Sequence, residues 1–581
     1  MYVTQFPPKE RTSVLRREHT SCRLQAFGLL VTGLLAASSA HAQRADPRLR
    51  QVGTLFSAYH RQNGPGCAIA IIRDDHVIYA RGYGIANLEY GVSITPHTVF
   101  HVASMSKPFT AFAIQLLAAD DKLSLDDDVR KYLPELHDFG TVITIRHLLH
   151  HTSGLRDQWD LLEMAGWRME DVITEDDILD LVWRQKALNF PPGSEELYSN
   201  TGYTLLGLIV QRVSGKTLRQ FTDERIFRPL GMLHTHFNDD NTEIVADRAA
   251  SYYPRGDSFS NAPLQYANVG ATNLLTTVGD LTMWDRNFYD TRVGGSAVLK
   301  AMLEPGTLSN GKQTHYASGL FLGDYRGIET VEHSGADAGF RSDLLRFPRA
   351  HFSVVVLANV GSIDAGGIAR KVADIYLADR LKPLAKAPSA VVPTEARVDP
   401  NIYDSYAGDY LLGPDMVLTL SRQADQLWLD ATGRGKMQVF PASDTEFFFK
   451  GIGAHVRFVR GKDGKAERLV LNDGGDDMSA PRFTRTRPTP EQLAEYAGAY
   501  YSEELGTVYE LSIRDGGLRL RYARGARTLE AVQPDTFVTA YPIGSVRFVR
   551  DEATKALRGF TLTSGRVRNV SFVKTHLDQR R

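Results

Sequence analysis

The spacing of apolar residues changes along this chain, and each change marks a different kind of element. Residues 67–84, CAIAIIRDDHVIYARGYG, read as a hairpin of two apolar strands around Asp74–Asp75. From there to residue 235 the helical period dominates, most clearly at 107–119, 175–187 and 202–214. Strand patterns return in SDLLRFP and FSVVVLANV, within residues 342–360, and a helical pattern follows near 364–380. A sheet built from both ends of a segment, with a helical block between, predicts an α/β arrangement. Residues 381–400 carry three prolines ahead of Asp399–Pro400 and no periodicity, so they read as a linker.

Beyond the linker the chain repeats. Tyr406-Ala407-Gly408-Asp409-Tyr410 returns as Tyr496-Ala497-Gly498-Ala499-Tyr500, and Val456–Arg460 returns as Val546–Arg550, both 90 residues on. Residues 400–487 and 488–581 are therefore two copies of one module. Their short alternating strands, such as Leu427-Trp428-Leu429 and Leu518-Arg519-Leu520, are punctuated by glycines and suggest an antiparallel barrel or sandwich. Neither copy concentrates acids, bases or metal ligands, which leaves a structural or substrate-gating role. The part ending near Ala385 is expected to fold without them.

Charge narrows the partners. With 67 basic against 68 acidic residues there is no basic face for nucleic acid, so small molecules or peptides are the default partners. The N-terminus sets Lys9, Arg11, Arg16, Arg17 and Arg23 ahead of the apolar run Ala26–Ala40 and the small-residue site Ala40-His41-Ala42. That order reads as a secretory signal over residues 1–42, implies a periplasmic or secreted protein, and is too short for a comfortable membrane span. Without it Cys67 stands alone, so no internal disulfide is available.

The candidate chemistry starts at Ser104-Met105-Ser106-Lys107, at the head of the apolar helical run. Residues three apart are neighbours on a helix, so Ser104 meets the Lys107 amine and Ser106 does not. Ser-x-x-Lys is expected by chance roughly twice in a chain this long. It also occurs at Ser309–Lys312, in a turn, and at Ser571–Lys574, in a strand pattern that points the two side chains apart. Serine is also a common helix N-cap, so the tetrad alone leaves a structural role open. A serine nucleophile needs its proton removed, and a lysine does that only when its amine is neutral. Tyr198-Ser199-Asn200, opening a helical run after Pro191-Pro192-Gly193, offers a phenol for proton relay and an amide for a substrate carbonyl. Tyr266-Ala267-Asn268 is a decoy of the same form. His333-Ser334-Gly335-Ala336 offers a glycine for close substrate approach and a following N–H that, with the Ser104 N–H, makes an oxyanion hole. His147, His150 and His151 lack the carboxylate and spacing of a metal site, and no cofactor motif is present.

Ser-x-x-Lys, Tyr-x-Asn and a strand triplet in that order resemble the class C β-lactamase and penicillin-binding-protein-like serine hydrolases, over residues 50–380. The phrases LLHHTSGL (148–155) and LLTTVGDL (274–281) are similar to that family as well. The resemblance implies Ser104 as the acylated nucleophile, Lys107 as its base, Tyr198 as the proton relay and Asn200 as the group orienting the substrate amide. It implies substrate contacts at His333, Gly335 and Ala336, a β-lactamase-like domain over 43–385 with a helical subdomain, a linker over 386–399, and no cofactor or metal. The chain departs from the family at the third motif, where His333 replaces the lysine that helps hold a substrate carboxylate; this argues against β-lactam turnover and carboxypeptidase action. His-x-Gly with two C-terminal barrels looks like the three-domain D-aminopeptidases, in which a barrel loop reaches the active-site mouth. An esterase, a β-lactamase or DD-carboxypeptidase, and a non-catalytic envelope peptide-binding protein stay open, as does the oligomeric state.

Overall fold

A computed structural model describes residues 46–59, 63–383, 395–414, 416–450, 453–472 and 477–575, and Arg48–Arg581 form one compact unit. The expected leader, Cys22 and most of the proline-rich segment lie outside the described residues. Six antiparallel strands make the central sheet: β1 (Cys67–Arg73), β2 (His76–Tyr83), β3 (Phe321–Tyr325), β4 (Ile328–Asp337), β5 (Phe340–Phe347) and β6 (Phe352–Ala358). Their spatial order is β3-β4-β5-β6-β1-β2. β1 pairs with β6 from Cys67↔Ala358 to Arg73↔Phe352, joining the two ends of the domain as the apolar pattern predicts. The β1–β2 corner falls at Asp74 and Asp75, whose φ values of 50° and 64° suit the tight turn that matches strand twist.

Both faces of β1 and β6 are covered, which explains their unbroken apolar runs. Ala68, Ala70, Val355 and Leu357 pack with the helical block, while Ile69, Ile71, Val354 and Val356 pack under the closing helix. β2 is the outer edge and largely exposed. Four helices position the site: α1 (Lys107–Ala119), α2 (Gln158–Ala165), α3 (Asn200–Ser214) and α4 (Ala365–Tyr376). α1 is buried from Lys107 to Leu117, as a helix apolar on all sides must be. α3 begins at Asn200, two residues before its apolar period becomes visible.

Each repeat closes into an eight-stranded antiparallel barrel, the first between Gly408 and Phe483 and the second between Gly498 and Thr575. Closure removes the open strand edges. The repeated tyrosines do the same work in both: the Tyr410 hydroxyl donates to the Tyr406 carbonyl, and Tyr500 to Tyr496, at 2.8 Å each. Tyr406 lies on Phe458 with ring centroids 4.1 Å apart, and Tyr496 on Phe548 at 4.3 Å.

The two barrels differ in what they pack against. The first has its own apolar cluster around Tyr406, Tyr410 and Phe458. In the second, Tyr500, Tyr509, Phe548 and Phe572 belong to the same cluster as α1 and α3. At this junction Arg156 pairs with Glu504 at 2.8 Å, their side chains 0% and 6% exposed. Arg156 also donates to the carbonyls of Arg568 (3.0 Å) and Asn569 (3.3 Å). The second barrel therefore packs its apolar residues against those of the hydrolase domain, and a part ending near Ala385 would leave that face uncovered. Among the described residues no helix is long and apolar enough to cross a membrane.

Candidate active site

Ala103–Ser106 form a 3₁₀ turn that runs directly into α1. In such a turn residues i and i+3 eclipse, so Ser104 and Lys107 stand one above the other. The Lys107 Nζ lies 3.1 Å from the Ser104 Oγ. Ser106 faces away: its hydroxyl donates to the Ala103 carbonyl at 2.6 Å and accepts from the Leu274 amide at 3.0 Å, fully buried.

Lys107 is buried, and its amine also contacts the Asn200 Oδ1 at 2.8 Å and the Ala271 carbonyl at 2.7 Å. Those two oxygens only accept. A neutral amine gives them its two N–H groups, which leaves the nitrogen lone pair for the Ser104 hydroxyl. Burial lowers the Lys107 pKa to about 7; Asp337 and Asp157 oppose the fall and Arg566 adds to it. A base that is substantially neutral near pH 7 is what proton abstraction from a serine requires.

Asn200 opens α3, and its orientation follows from its partners. Its Oδ1 accepts from Lys107, while its Nδ2 donates to the Asp157 Oδ2 at 2.9 Å and its backbone N–H to the same oxygen at 2.7 Å. Asp157 is the N-cap of α2, its Oδ1 accepting from the Trp159 amide at 3.1 Å. The Tyr198 side chain lies across Lys107, with Nζ 4.8 Å from its ring centroid. Its hydroxyl is buried and closes no hydrogen bond of its own. Burial raises the phenol pKa; the nearby Ser104 hydroxyl pulls it down by less, without closing a direct hydrogen bond.

The third motif lies on β4, whose residues 333–337 run past the last β3 pairing at Phe321↔Glu332 and so have an open edge. His333 is 3% exposed, and both ring nitrogens are engaged: Nδ1–H donates to the Ser334 carbonyl at 2.6 Å, and Nε2 accepts from the Tyr316 hydroxyl at 3.1 Å. Burial, then Lys107, lowers its pKa to about 3, so the ring is neutral. Its polar atoms are taken up by Ser334 and Tyr316, while the ring forms part of the cleft wall. Gly335 is needed for close approach: a Cβ there would fall 2.2 Å from the Val102 carbonyl oxygen and 3.0 Å from the Ala103 Cβ. Ala336 is exposed on the same edge. A cleft of about 500 Å³ runs past Ser104 and Tyr198, along β4 to Arg341 and the start of α4 at Asp364–Gly366. A larger groove, about 910 Å³, lies between the barrels and holds none of the candidate residues.

Five of the seven candidates thus line one cleft, and Lys107 and Asn200 are buried beside it in contact with each other, Lys107 also reaching Ser104, while the decoy stands apart. Tyr266 stacks on Trp159 at 4.7 Å, and Asn268 is fully buried. The three histidines diverge. His147 caps the helix Ile145–Leu149, His150 contacts the Tyr316 carbonyl at 3.2 Å, and His151 accepts from the Ser199 amide at 3.1 Å. Among the described residues no group of His, Cys, Asp or Glu is placed to hold a metal ion. Sequence reasoning missed Asp157, His151 as a ring 4.2 Å from Tyr198, Tyr316 and Arg566. Only Asp157, close behind His151-Thr152-Ser153-Gly154, had a local signal; Arg566 comes from the second barrel.

A β-lactamase family model matches residues 45–376, and a domain of unknown function, DUF3471, matches 392–487. Penicillin-binding protein 4* of Bacillus subtilis (strain 168) is 26% identical over 448 residues, covering 74% of this chain and 97% of its own. A D-aminopeptidase of Cereibacter sphaeroides (strain ATCC 17023) is 27% identical over 482 residues, covering 81% and 86%. The octameric penicillin-binding protein homologue from Pyrococcus abyssi aligns over 82% of this chain and 99% of its own, with a TM-score of 0.54 and 22% identity, and so shares the fold. The family model spans more than half of the residues, and the cleft lies within that span: this chain belongs to the β-lactamase family.

Proposed function

We propose that the protein is a serine hydrolase that works through an acyl-Ser104 intermediate on small peptides or amides of D-amino acids. The observation that carries this reading is the contact set of Lys107: its amine lies 3.1 Å from the Ser104 Oγ and against two acceptor-only oxygens, so that in the neutral amine, with both N–H groups given to those oxygens, the lone pair is left for Ser104. As the Ser104 Oγ attacks the substrate carbonyl carbon, its proton passes to the Lys107 Nζ. The carbonyl oxygen becomes an oxyanion between the N–H groups of Ser104 and Ala336. On collapse of the tetrahedral intermediate the carbon–nitrogen bond breaks, and the leaving amine takes a proton relayed through the Tyr198 hydroxyl. Water then attacks the ester, gives its proton to the same relay, and returns Ser104. Asn200 keeps one amide hydrogen for substrate, since its Oδ1 is spent on Lys107 and its Nδ2 donates once to Asp157.

The substrate class rests on likeness to D-aminopeptidases and on His333, whose ring lines the cleft but is neutral with both nitrogens engaged, and so offers no cation at that position for a carboxylate. The basic and apolar leader supports a periplasmic or secreted place of work. The sign of the pH dependence follows from Lys107: below about pH 7 the amine is protonated and cannot act as base, so kcat/KM rises as pH climbs through that value. Fluorophosphonate labelling together with a panel of D-amino-acid amides, D-Ala-D-Ala peptides, short acyl esters and nitrocefin tests the reading. Amides are expected to give the highest kcat/KM. Esters ahead by more than about 100-fold would remove the substrate class and leave the acyl-serine step standing. Absence of labelling at Ser104 would remove both.

A further inference from the structure

The last two strands of the second barrel, Leu557–Ser564 and Val567–Thr575, are joined by Gly565–Arg566, and this turn threads into the hydrolase domain beside the site. Gly565 has φ of 55°, and a Cβ there would fall 2.8 Å from the Asp160 Oδ2, so a side chain would strain the turn and press on that carboxylate. The Arg566 backbone N–H donates to the Asp160 Oδ2 at 2.7 Å, and its carbonyl accepts from the Asn189 Nδ2 at 2.9 Å. With its backbone so fixed, its guanidinium Nη2 donates to the Asp157 Oδ1 at 3.0 Å, and its central carbon lies 5.7 Å from the centroid of the Tyr198 ring. The Asp157 side chain is fully buried, and its other oxygen holds Asn200, which holds Lys107. A continuous chain of polar contacts, Arg566–Asp157–Asn200–Lys107, runs from the barrel to the base.

We infer that Arg566 is a positioning residue of the acyl-transfer site, supplied by the second barrel to hold Asp157 against Asn200 and to balance its charge beside Lys107. This rests on the acyl-serine reading above, and it differs from gating because the contacts of Arg566 are with Asp157 and the Tyr198 ring and Arg566 is not among the residues lining the cleft. The groups facing Lys107 are Asp337 at the end of β4, Asp157 ahead of α2, Arg566, and the uncharged Tyr198, Tyr203, His151 and His333. Arg566 in turn faces Asp157, Asp160, Tyr198 and Tyr541. Taking away the guanidinium leaves Asp157 a buried anion without its counter-charge, and the nearby amine then holds its proton more tightly.

The test is the rate of fluorophosphonate labelling of Ser104 against pH in the full chain, for wild type, Arg566→Met, Arg566→Lys, Asp157→Asn and the double variant Asp157→Asn with Arg566→Met. Folded protein is matched by thermal melting. Arg566→Met is expected to move the acid limb up by roughly half a pH unit or more, slowing labelling about threefold or more below the limb. Arg566→Lys restores most of that, Asp157→Asn moves the limb down, and the double variant falls between the two single ones. A contact that only supports the fold lowers rates without moving the limb, so coincident limbs in folded variants overturn the inference. Should Arg566→Met not melt cooperatively, Asp157→Asn decides by the same limb. Labelling that survives Ser104→Ala would instead overturn the acyl-serine reading itself.

Discussion

Two serines, two residues apart, have opposite surroundings. Ser104 stands at the cleft with Lys107 3.1 Å away, whereas the Ser106 hydroxyl is consumed inside the turn and by the Leu274 amide. Ser104→Ala is therefore expected to abolish probe labelling and turnover. Ser106→Ala is expected to keep substantial activity while losing about 1–3 kcal/mol of stability through the orphaned Leu274 N–H, read from denaturant melts. His333 carries a second expectation at this scale. It is packed against Phe321 and Tyr198, with ring centroids 5.3 Å and 6.3 Å away, and both its nitrogens are used. His333→Lys places an amine in that wall close to Lys107. The outcome expected is a loss of more than about 2 kcal/mol of stability, without new activity on carboxylate-bearing substrates. A folded, equally stable variant that hydrolyses such substrates would show that position 333 reads substrate charge after all.

At the scale of elements, the site is the place where a 3₁₀ turn, the start of α3 and the open edge of β4 come together. Their spacing is set by Gly335, which lets β4 lie against the turn carrying Ser104. Ser342 ties β5 to the same turn, its hydroxyl donating to the Val102 carbonyl at 2.7 Å. A methyl group at 335 cannot be met by a flexible side chain, because the nearest atom is backbone, so the strand or the turn must move. Gly335→Ala is expected to lower kcat/KM by roughly 100-fold with far less effect on the melting temperature, as when reacting groups are displaced by about 1 Å. Steady-state kinetics on the preferred amide substrate checks it; wild-type kcat/KM would show that the close approach is idle.

Across the whole molecule, the repeat has produced two barrels with different duties. The first holds its own core, and the second completes the core of the hydrolase domain and reaches its polar interior. The Arg156–Glu504 pair lies in that junction, and removing Arg156 leaves the buried Glu504 without its nearest counter-charge and several carbonyls of the second barrel and the hydrolase domain without their donor. Arg156→Met is expected to cost about 3–5 kcal/mol and to lower the midpoint of a single transition shared by the hydrolase domain and the second barrel. Calorimetry that resolves the two as independent transitions, with only one of them shifted, would separate the barrel from the core it shares.

Much of this was legible in residue order. The runs at 107–119 and 342–360 are apolar because they cross the centre of the fold, and such runs keep their period whatever packs against them. The repeat was legible because two copies of one barrel need the same buried tyrosines at the same places. Ser104 and Lys107 were legible because one helical turn fixes their relation before any tertiary contact forms. What the sequence alone determined is thus what short-range geometry and burial period dictate. Tertiary structure alone decided that His333 turns its nitrogens inward, that Asn200 is held between Lys107 and Asp157, and that Arg566 arrives beside them from the second barrel. Those contacts join residues tens to hundreds of positions apart, and long polar side chains take partners that only the packing of separate elements brings within about 3 Å.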